Sequence, residues 1–340
     1  DMVGPAMIIT THAFARAGLV GNPSDGYFGK TISFVVRDFK ATCQLWDSPK
    51  FEILPGPGDT HRYDSPAAFV EHANLMGYYG SRRLVQASIK RFFDYCGEKG
   101  HDLTGRPNFS VQVATNIPRL VGLSGSSAII TAVVRALIEF YEVGVAKEYL
   151  PTLILSVETQ ELGLAAGLQD RVAQVYEGLT YMDFDKQQVE ATGHGTYESL
   201  RPKHLPNVYV AYDPERAEIS DVTHRNLKAA WERGEQDVHD AMARLRQLTD
   251  EGKQAIVDYD MKTLHRVTNE NFDIRRSIMP IAPENQKMID VARKVGASAK
   301  FAGSGGAITG VFMDGPQYAD LVDELARIRC TCLRPIIFDD

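Results

Sequence analysis

Small, hydroxyl-bearing and acidic residues stand along this chain where an anion and a divalent cation could be held. The stretch Pro118-Arg-Leu-Val-Gly-Leu-Ser-Gly-Ser-Ser-Ala128 lies between Asn108 to Thr115, which alternates apolar and polar residues, and Ala128 to Tyr141, which is apolar on a helical period. The Gly/Ser loop therefore opens a helix. Its glycines let backbone N–H groups turn inward, the helix start adds unpaired donors and the positive end of a dipole, and the Ser hydroxyls can hold a metal ion or phosphate oxygens. The same residues also suit a plain cap on a buried helix, so the assignment needs other stretches to support it. A helix from about Lys147 to Leu162 carries Glu158 and Glu161, and a short helix from Gln169 to Tyr176 carries Asp170 in its first turn. Two more Gly-rich stretches complete the set, Phe14 to Lys30 with Arg16, Asp25 and Lys30, and Ala299 to Phe312 with Gly303-Ser-Gly-Gly306.

The elements that must position these residues read as follows. Met7 to Thr11 is a short expected strand, and Phe14 to Lys30 is expected as loop. Gly29-Lys30-Thr31 imitates the end of a P-loop, but Ser24 replaces that pattern's first glycine and the β-branched Thr31 to Val36 continues as strand, which excludes it. Ala41 to Trp46 and Phe51 to Leu54 are expected strands, followed by a turn at Pro55 to Gly58 and a helical region from Ser65 to Lys99 broken near Gly77 to Gly80. Gly178 to Phe184 and Val208 to Tyr212 read as strands, Asp221 to Ile278 as charged amphipathic helix, and the end as β-α-β, closing on a strand near Leu333 to Phe338.

Composition sets the bounds. With 340 residues, 44% hydrophobic and 24% charged, two packed lobes of a globular protein are expected. A net charge of −7 gives no diffuse basic field, which argues against nucleic acid or an anionic membrane as partner; anionic ligands must be met by local clusters. The four cysteines show neither zinc spacing nor a dense disulfide framework, and a reducing cytoplasm is expected. No apolar run reaches spanning length, no signal peptide is visible, and residues ahead of Met7 are expected to be an added remnant.

The three Gly-rich stretches, in this order, resemble the three motifs of the GHMP kinases, across nearly the whole chain. Arg16, Leu19, Gly21 and Asp25 match the first motif, Pro118 to Ala128 the second with one extra small residue near Ser124-Gly125, and Lys300 to Gly306 the third. Within that family the phrases Gly21-Asn-Pro-Ser-Asp25, Gln169-Asp-Arg-Val-Ala-Gln-Val-Tyr176, Tyr181-Met-Asp-Phe184, Asn271-Phe-Asp-Ile-Arg-Arg276 and Lys300-Phe-Ala-Gly-Ser-Gly-Gly-Ala307 are similar to plant-type glucuronokinases. Asn22-Pro23 departs from the galactose-type pattern.

The resemblance implies an α+β, two-lobed GHMP kinase fold. Residues 7–178 would form the amino-terminal, sheet-and-helix domain of the ribosomal-protein-like type, and residues 179–340 a ferredoxin-like carboxy-terminal domain. It implies an ATP-dependent, Mg-requiring sugar-1-kinase making D-glucuronic acid 1-phosphate from a small-molecule uronic acid. The rivals are another GHMP small-molecule kinase, for galactose, another sugar or mevalonate, and a catalytically silent GHMP-fold binding protein. Carried over by motif, Asp170 would orient the acceptor hydroxyl and take its proton late, and Arg16 would offset charge on the transferring phosphoryl group. Pro118, Gly122, Leu123, Ser124, Gly125, Ser126, Ser127 and Ala128 would wrap ATP, with Ser127 and Glu158 on the metal. Asp25, Asn22, Tyr27, Gly303, Ser304 and Gly305 would border the substrate. A uronic acid's carboxylate needs a cation on desolvation, and Arg275, with Arg171 in reserve, is expected to meet it. On one helix Arg275 and Arg276 point about 100° apart, so at most one faces inward.

Overall fold

The computed structural model describes residues 8–56, 65, 80–215 and 221–339. Residues ahead of Met7 lie outside these, as do parts of the expected turn at 55–58 and of the expected helix break at 77–80.

Two long antiparallel strands, β1 (Ile8–Val20) and β2 (Lys30–Asp47), form the spine of the first layer. Their register shifts where Phe14 faces Lys40 but Ala15 faces Val36, so Arg37 to Phe39 bulge from β2. β2 is long enough to serve two further partners. Ala41 to Asp47 pair with β4 (Phe109–Thr115), beside which β3 (Glu52–Ile53) runs parallel. Lys30 to Phe34 pair with β5 (Leu179–Asp183), and β6 (Thr196–Leu200) follows β5.

Helix α1 (Ser81–Glu98) packs on α2 (Gly125–Tyr141), and α2 lies across β1 and β2. Ala13, Ala15 and Ala17 of β1 are fully buried, small enough to let α2 approach closely. Ile130, Ala132, Val133, Ala136 and Leu137 of α2 are buried just as completely, as an apolar-all-round helix requires. α3 (Leu150–Ser156) runs into a π-type turn, Val157 to Glu161; α4 (Gln169–Tyr176) then packs against α2, α3 and the sheet, and α5 (Lys186–Thr192) joins β5 to β6.

The second layer is a four-stranded antiparallel sheet in the order β10 (Thr331–Leu333), β7 (Val208–Tyr212), β9 (Ala307–Val311), β8 (Lys300–Phe301). Its helices are α6 (Asp221–Glu232), α7 (Gln236–Val257), α8 (Met261–Ile278), α9 (Pro283–Lys294) and α10 (Gly315–Ala326). α8 presents Leu264, Val267, Thr268, Asn271, Phe272 and Arg275 as one buried stripe at helical spacing. Among the described residues no helix is long and apolar enough to cross a membrane.

Three expectations change. Phe14 to Val20 is not loop: it belongs to β1, and its period of two is hidden because both faces are buried, Arg16, Gly18 and Val20 along with the alanines and Leu19. A boundary at 178/179 would cut the first sheet, since Lys30 to Phe34 offer β5 an edge that would otherwise stand unpaired. The closing strand sits earlier, at Thr331 to Leu333. The segment after it straps back to the first sheet, where Arg37 N–H donates to the Ile336 carbonyl at 2.8 Å and Ile336 N–H to Asp38 Oδ2 at 2.9 Å.

The loop opening α2 and the loop between β8 and β9 touch backbone to backbone. A methyl group on Gly122, which has φ +74°, would sit 2.5 Å from the Gly305 carbonyl oxygen, and one on Gly303 would strike the Gly122 carbonyl. Gly303→Ala should therefore lower unfolding stability by about 1–3 kcal/mol, the usual cost of overpacking. Gly97→Ala in α1, where a methyl meets nothing within 4 Å, should be neutral or slightly stabilising. Urea unfolding of both variants checks this; equal losses would remove the close approach as the reason for glycine.

Candidate active site

The site gathers on the inner end of β1. Arg16 is 6% exposed, and its backbone N–H donates to the Leu123 carbonyl of the α2 loop at 3.2 Å. Its guanidinium donates through Nη1 to the Ala302 carbonyl at 2.6 Å and through Nη2 to Asp170 Oδ1. Two residues on, Gly18 N–H donates to the Ala302 carbonyl at 2.7 Å. All three glycine-rich stretches thus meet one residue, which in turn holds the first-turn carboxylate of α4.

Asp170 projects from α4 with its side chain 24% exposed, while Arg171 beside it is buried. Arg171 forms an ion pair with Glu158, donates to the Gly167 carbonyl at 2.9 Å and lies 3.6 Å from Asp170 Oδ2. Burial and neighbouring Arg16 pull its pKa down to about 9, against the attraction of Asp25. Glu158 is buried by the π-type turn and accepts from Ser126 Oγ at 3.1 Å. Ser127, expected beside Glu158, instead turns back to donate to the Ser124 carbonyl at 3.1 Å. One residue is about 100° of helix, so neighbouring serines cannot both face the same carboxylate.

Ser124 takes φ +64° ahead of the helix, and its carbonyl also accepts from Gln174 Nε2 at 3.0 Å. Gly122, Ser124, Gly125 and Ser126 are partly exposed along with Pro118, whereas Leu123 and Ala128 are buried anchors. Among the described residues Ser124 Oγ and Arg16 Nε are buried without a hydrogen-bond partner. Buried polar atoms are normally paired, so both suit an incoming anion. Oxygen donors from Ser126 at the start of α2 and from Glu158 in the π-type turn fit a hard divalent cation held mainly by substrate phosphates.

Asn22 is buried; its carbonyl accepts from Asn271 Nδ2 at 3.0 Å and its side chain accepts from Lys300 Nζ. Lys300 also donates to the carbonyls of Gly18 at 2.5 Å and Phe301 at 2.7 Å. Tyr27 packs on Trp231 with ring centres 5.3 Å apart. Gln169 Nε2 donates to Ser33 Oγ at 2.7 Å, fixing the start of α4 on β2.

Arg275 does face inward and Arg276 outward, as the helix period requires, but Arg275 is not open to a substrate carboxylate. Its Nη1 and Nη2 donate to the carbonyls of Gly303 and Ser304, both at 2.8 Å, and its plane lies over Phe301. The reserve cation Arg171 is likewise engaged by Glu158. The sequence reading missed Lys300, Asn271 and Gln169 as site supports. Asn271 had a signal, being one of three polar or charged residues, with Thr268 and Arg275, on the buried stripe of α8.

Asp25 lies close to Gly167, where a methyl would sit 2.5 Å from its Oδ2. Burial, then the Asp170 charge, raise its pKa to about 6, with Arg16 opposing. The folded state therefore binds more protons than the unfolded chain between pH 4 and 6, and stability falls as pH rises through that window. Asp25→Asn should remove the fall and make the ligand-free protein about 2 kcal/mol more stable than wild type at pH 7, with little difference below pH 4. Thermal unfolding across pH 4–8 checks this; a constant offset at every pH would show that the charge is not the cause.

Comparisons with known proteins fall on this geometry. The profile of the GHMP kinases N terminal domain matches residues 83–178, which carry the α2 loop, Glu158 and Asp170. "Probable glucuronokinase 2" of Arabidopsis thaliana is 41% identical over 95% of this chain and 90% of its own, and "Glucuronokinase 1" of the same plant is 39% identical over 96% and 91%. The fold is also that of a phosphomevalonate kinase from Streptococcus pneumoniae, with a TM-score of 0.74, 16% identity, and 96% and 98% of the two chains covered. Related over nearly its whole length to such enzymes, and carrying their amino-terminal domain, this chain belongs to the GHMP kinase family.

Proposed function

We propose that this ATP-dependent kinase transfers the terminal phosphoryl group of ATP to the anomeric hydroxyl of D-glucuronic acid, giving D-glucuronic acid 1-phosphate. The observation that carries the reading is the Arg16–Asp170 pair at the meeting point of the three glycine-rich stretches. Identity of 41% and 39% to plant glucuronokinases supports the uronic acid over galactose or mevalonate. The presence together of Ser127, Glu158 and Asp170, matched to the family's motif residues, speaks against a silent binding protein.

Phosphoryl transfer needs position and charge more than covalent chemistry. The α2 loop supplies backbone donors at a helix start for the triphosphate, with Ser124 Oγ available to an anion. Glu158 and the Ser126 hydroxyl would hold magnesium, which would supply positive charge to the phosphates of ATP, whereas Ser127 is turned to the Ser124 carbonyl. Asp170 orients the acceptor hydroxyl and accepts its proton as the new bond forms. Arg16 keeps that carboxylate in place and presents positive charge where the phosphoryl group passes. Arg275 positions the Gly303-Ser304 loop, which with Asn22, Asp25, Tyr27 and Gly305 borders the acceptor. The setting we propose is cytoplasmic, with no nucleic acid partner.

Asp170→Asn should lower kcat at least about 100-fold while leaving the KM for ATP within about threefold, since the nucleotide is gripped elsewhere. Near-normal turnover at saturating sugar would remove Asp170 from the chemistry. A coupled ADP-release assay should give a kcat/KM for glucuronic acid at least about 100-fold above those for galactose, glucose and mevalonate. A higher value for any of the three would reassign the substrate.

A further inference from the structure

A second, separate feature lies where the chain crosses between the two sheets. The linker 201–207, the residues after β10 and the turn between α7 and α8 enclose an open hollow of about 510 Å³. Arg201, Lys203, His204 and Arg334 line it, with Leu205, Tyr259 and Phe338 as its apolar part and no carboxylate among the lining residues. None of the residues at the kinase site takes part.

Three of these side chains are held against aromatic rings. Arg201 lies over the Phe338 ring at 5.3 Å and Arg334 over Phe312 at 5.8 Å, while the His204 ring sits tilted against Tyr259 with ring centres 5.5 Å apart. Arg334 also donates to Asn207 Oδ1 at 3.2 Å. Among the described residues no carboxylate pairs with any of the four, and nearby Asp339 is taken by Arg37 at 2.9 Å. Stacking on aromatic faces holds Arg201 and Arg334 without itself using their N–H donors. In a chain of net charge −7, three permanent cations in one concavity make a local positive field that attracts an anion with several charges.

Charge alone would accept any polyanion, but the hollow has a second half. Tyr259 is 42% and Leu205 39% exposed there, an aromatic face and an aliphatic edge placed to cover a planar ring. The volume is within the range of small-molecule sites. We propose that this hollow binds a nucleoside polyphosphate, its phosphates on Arg201, Lys203 and Arg334 and its base on Tyr259 and Leu205. Such a ligand would touch both the linker leaving β6 and the strap returning after β10, the two chain crossings between the sheets.

The test is equilibrium dialysis of the full chain with a non-hydrolysable ATP analogue and magnesium at low ionic strength. Wild type should bind two equivalents. The triple variant Arg201→Ser/Lys203→Ser/Arg334→Ser should keep one and bind the second at least about tenfold more weakly, with kcat/KM unchanged. A triple variant that binds as many equivalents as wild type would overturn the proposal. One equivalent on wild type and none on the triple variant would instead support the hollow and sink the nucleotide assignment at the kinase site. Tripolyphosphate binding the hollow as tightly as the analogue would overturn the nucleoside part. Should the triple variant fail to fold, Lys203→Ser alone, on an exposed loop, should weaken the second site about threefold; no change would count against it.

Discussion

Arg16 is the constraint on which the site depends. A buried guanidinium has five N–H donors in a fixed plane and must find acceptors in that plane. Here they are the Ala302 carbonyl and the Asp170 carboxylate, while the residue's own backbone N–H takes the Leu123 carbonyl. The three partners lie 107 (Leu123), 154 (Asp170) and 286 (Ala302) residues away in sequence, so their separation is fixed by one rigid side chain and the strand that carries it. A lysine could supply the charge but not the planar geometry.

The supports around Arg16 follow the same economy. Lys300 is buried among three oxygens, and those acceptors call for the three N–H bonds that only an ammonium has. Burial and the cations Arg275 and Arg16 push its pKa far below the ordinary lysine value, so the pairing is under tension. What it gains is register: the third glycine stretch is tied to Gly18 and Asn22 on either side of the end of β1. Asn271 ties the same turn to α8 through Gly21 N–H at 2.6 Å. The first and third glycine stretches are thereby held by two buried side chains, Lys300 and Asn271.

Much of this was legible in the sequence, and the failures have reasons. The Gly/Ser loop, the helix of Asp170 and the acidic turn could be read because glycine, hydroxyl and carboxylate residues carry local rules about caps and helix starts. β1 was misread at Phe14 to Val20 because a strand buried on both faces loses its alternation, and its small residues look like loop. The boundary expected at 178/179 parts β5 and β6 from the sheet they join, because pairing with the lower half of β2 is a long-range property. The helical period says that at most one of Arg275 and Arg276 faces inward, and it says nothing of which acceptors are waiting there. Two backbone carbonyls held together by a glycine loop leave no trace in the residue pattern.

The choice of acceptors also shapes the electrostatics of the cleft. Of the four buried cations near it, Arg16 and Arg171 meet carboxylates, whereas Arg275 donates to two backbone carbonyls and Lys300 to three neutral oxygens. A carbonyl satisfies a donor without cancelling its charge, so every such exchange leaves the surroundings more positive than an ion pair would. The remaining carboxylates, Asp25, Asp170 and Glu158, then face a positive background, except that Asp25 and Asp170 oppose each other, which with burial is why Asp25 takes up a proton so readily. A cleft of this kind is stable only while the charges are spaced by rigid backbone, and it becomes more nearly neutral when a polyanion enters. The same backbone packing that forbids a side chain at Gly122 and Gly303 therefore also fixes the spacing of charge on which anion binding depends.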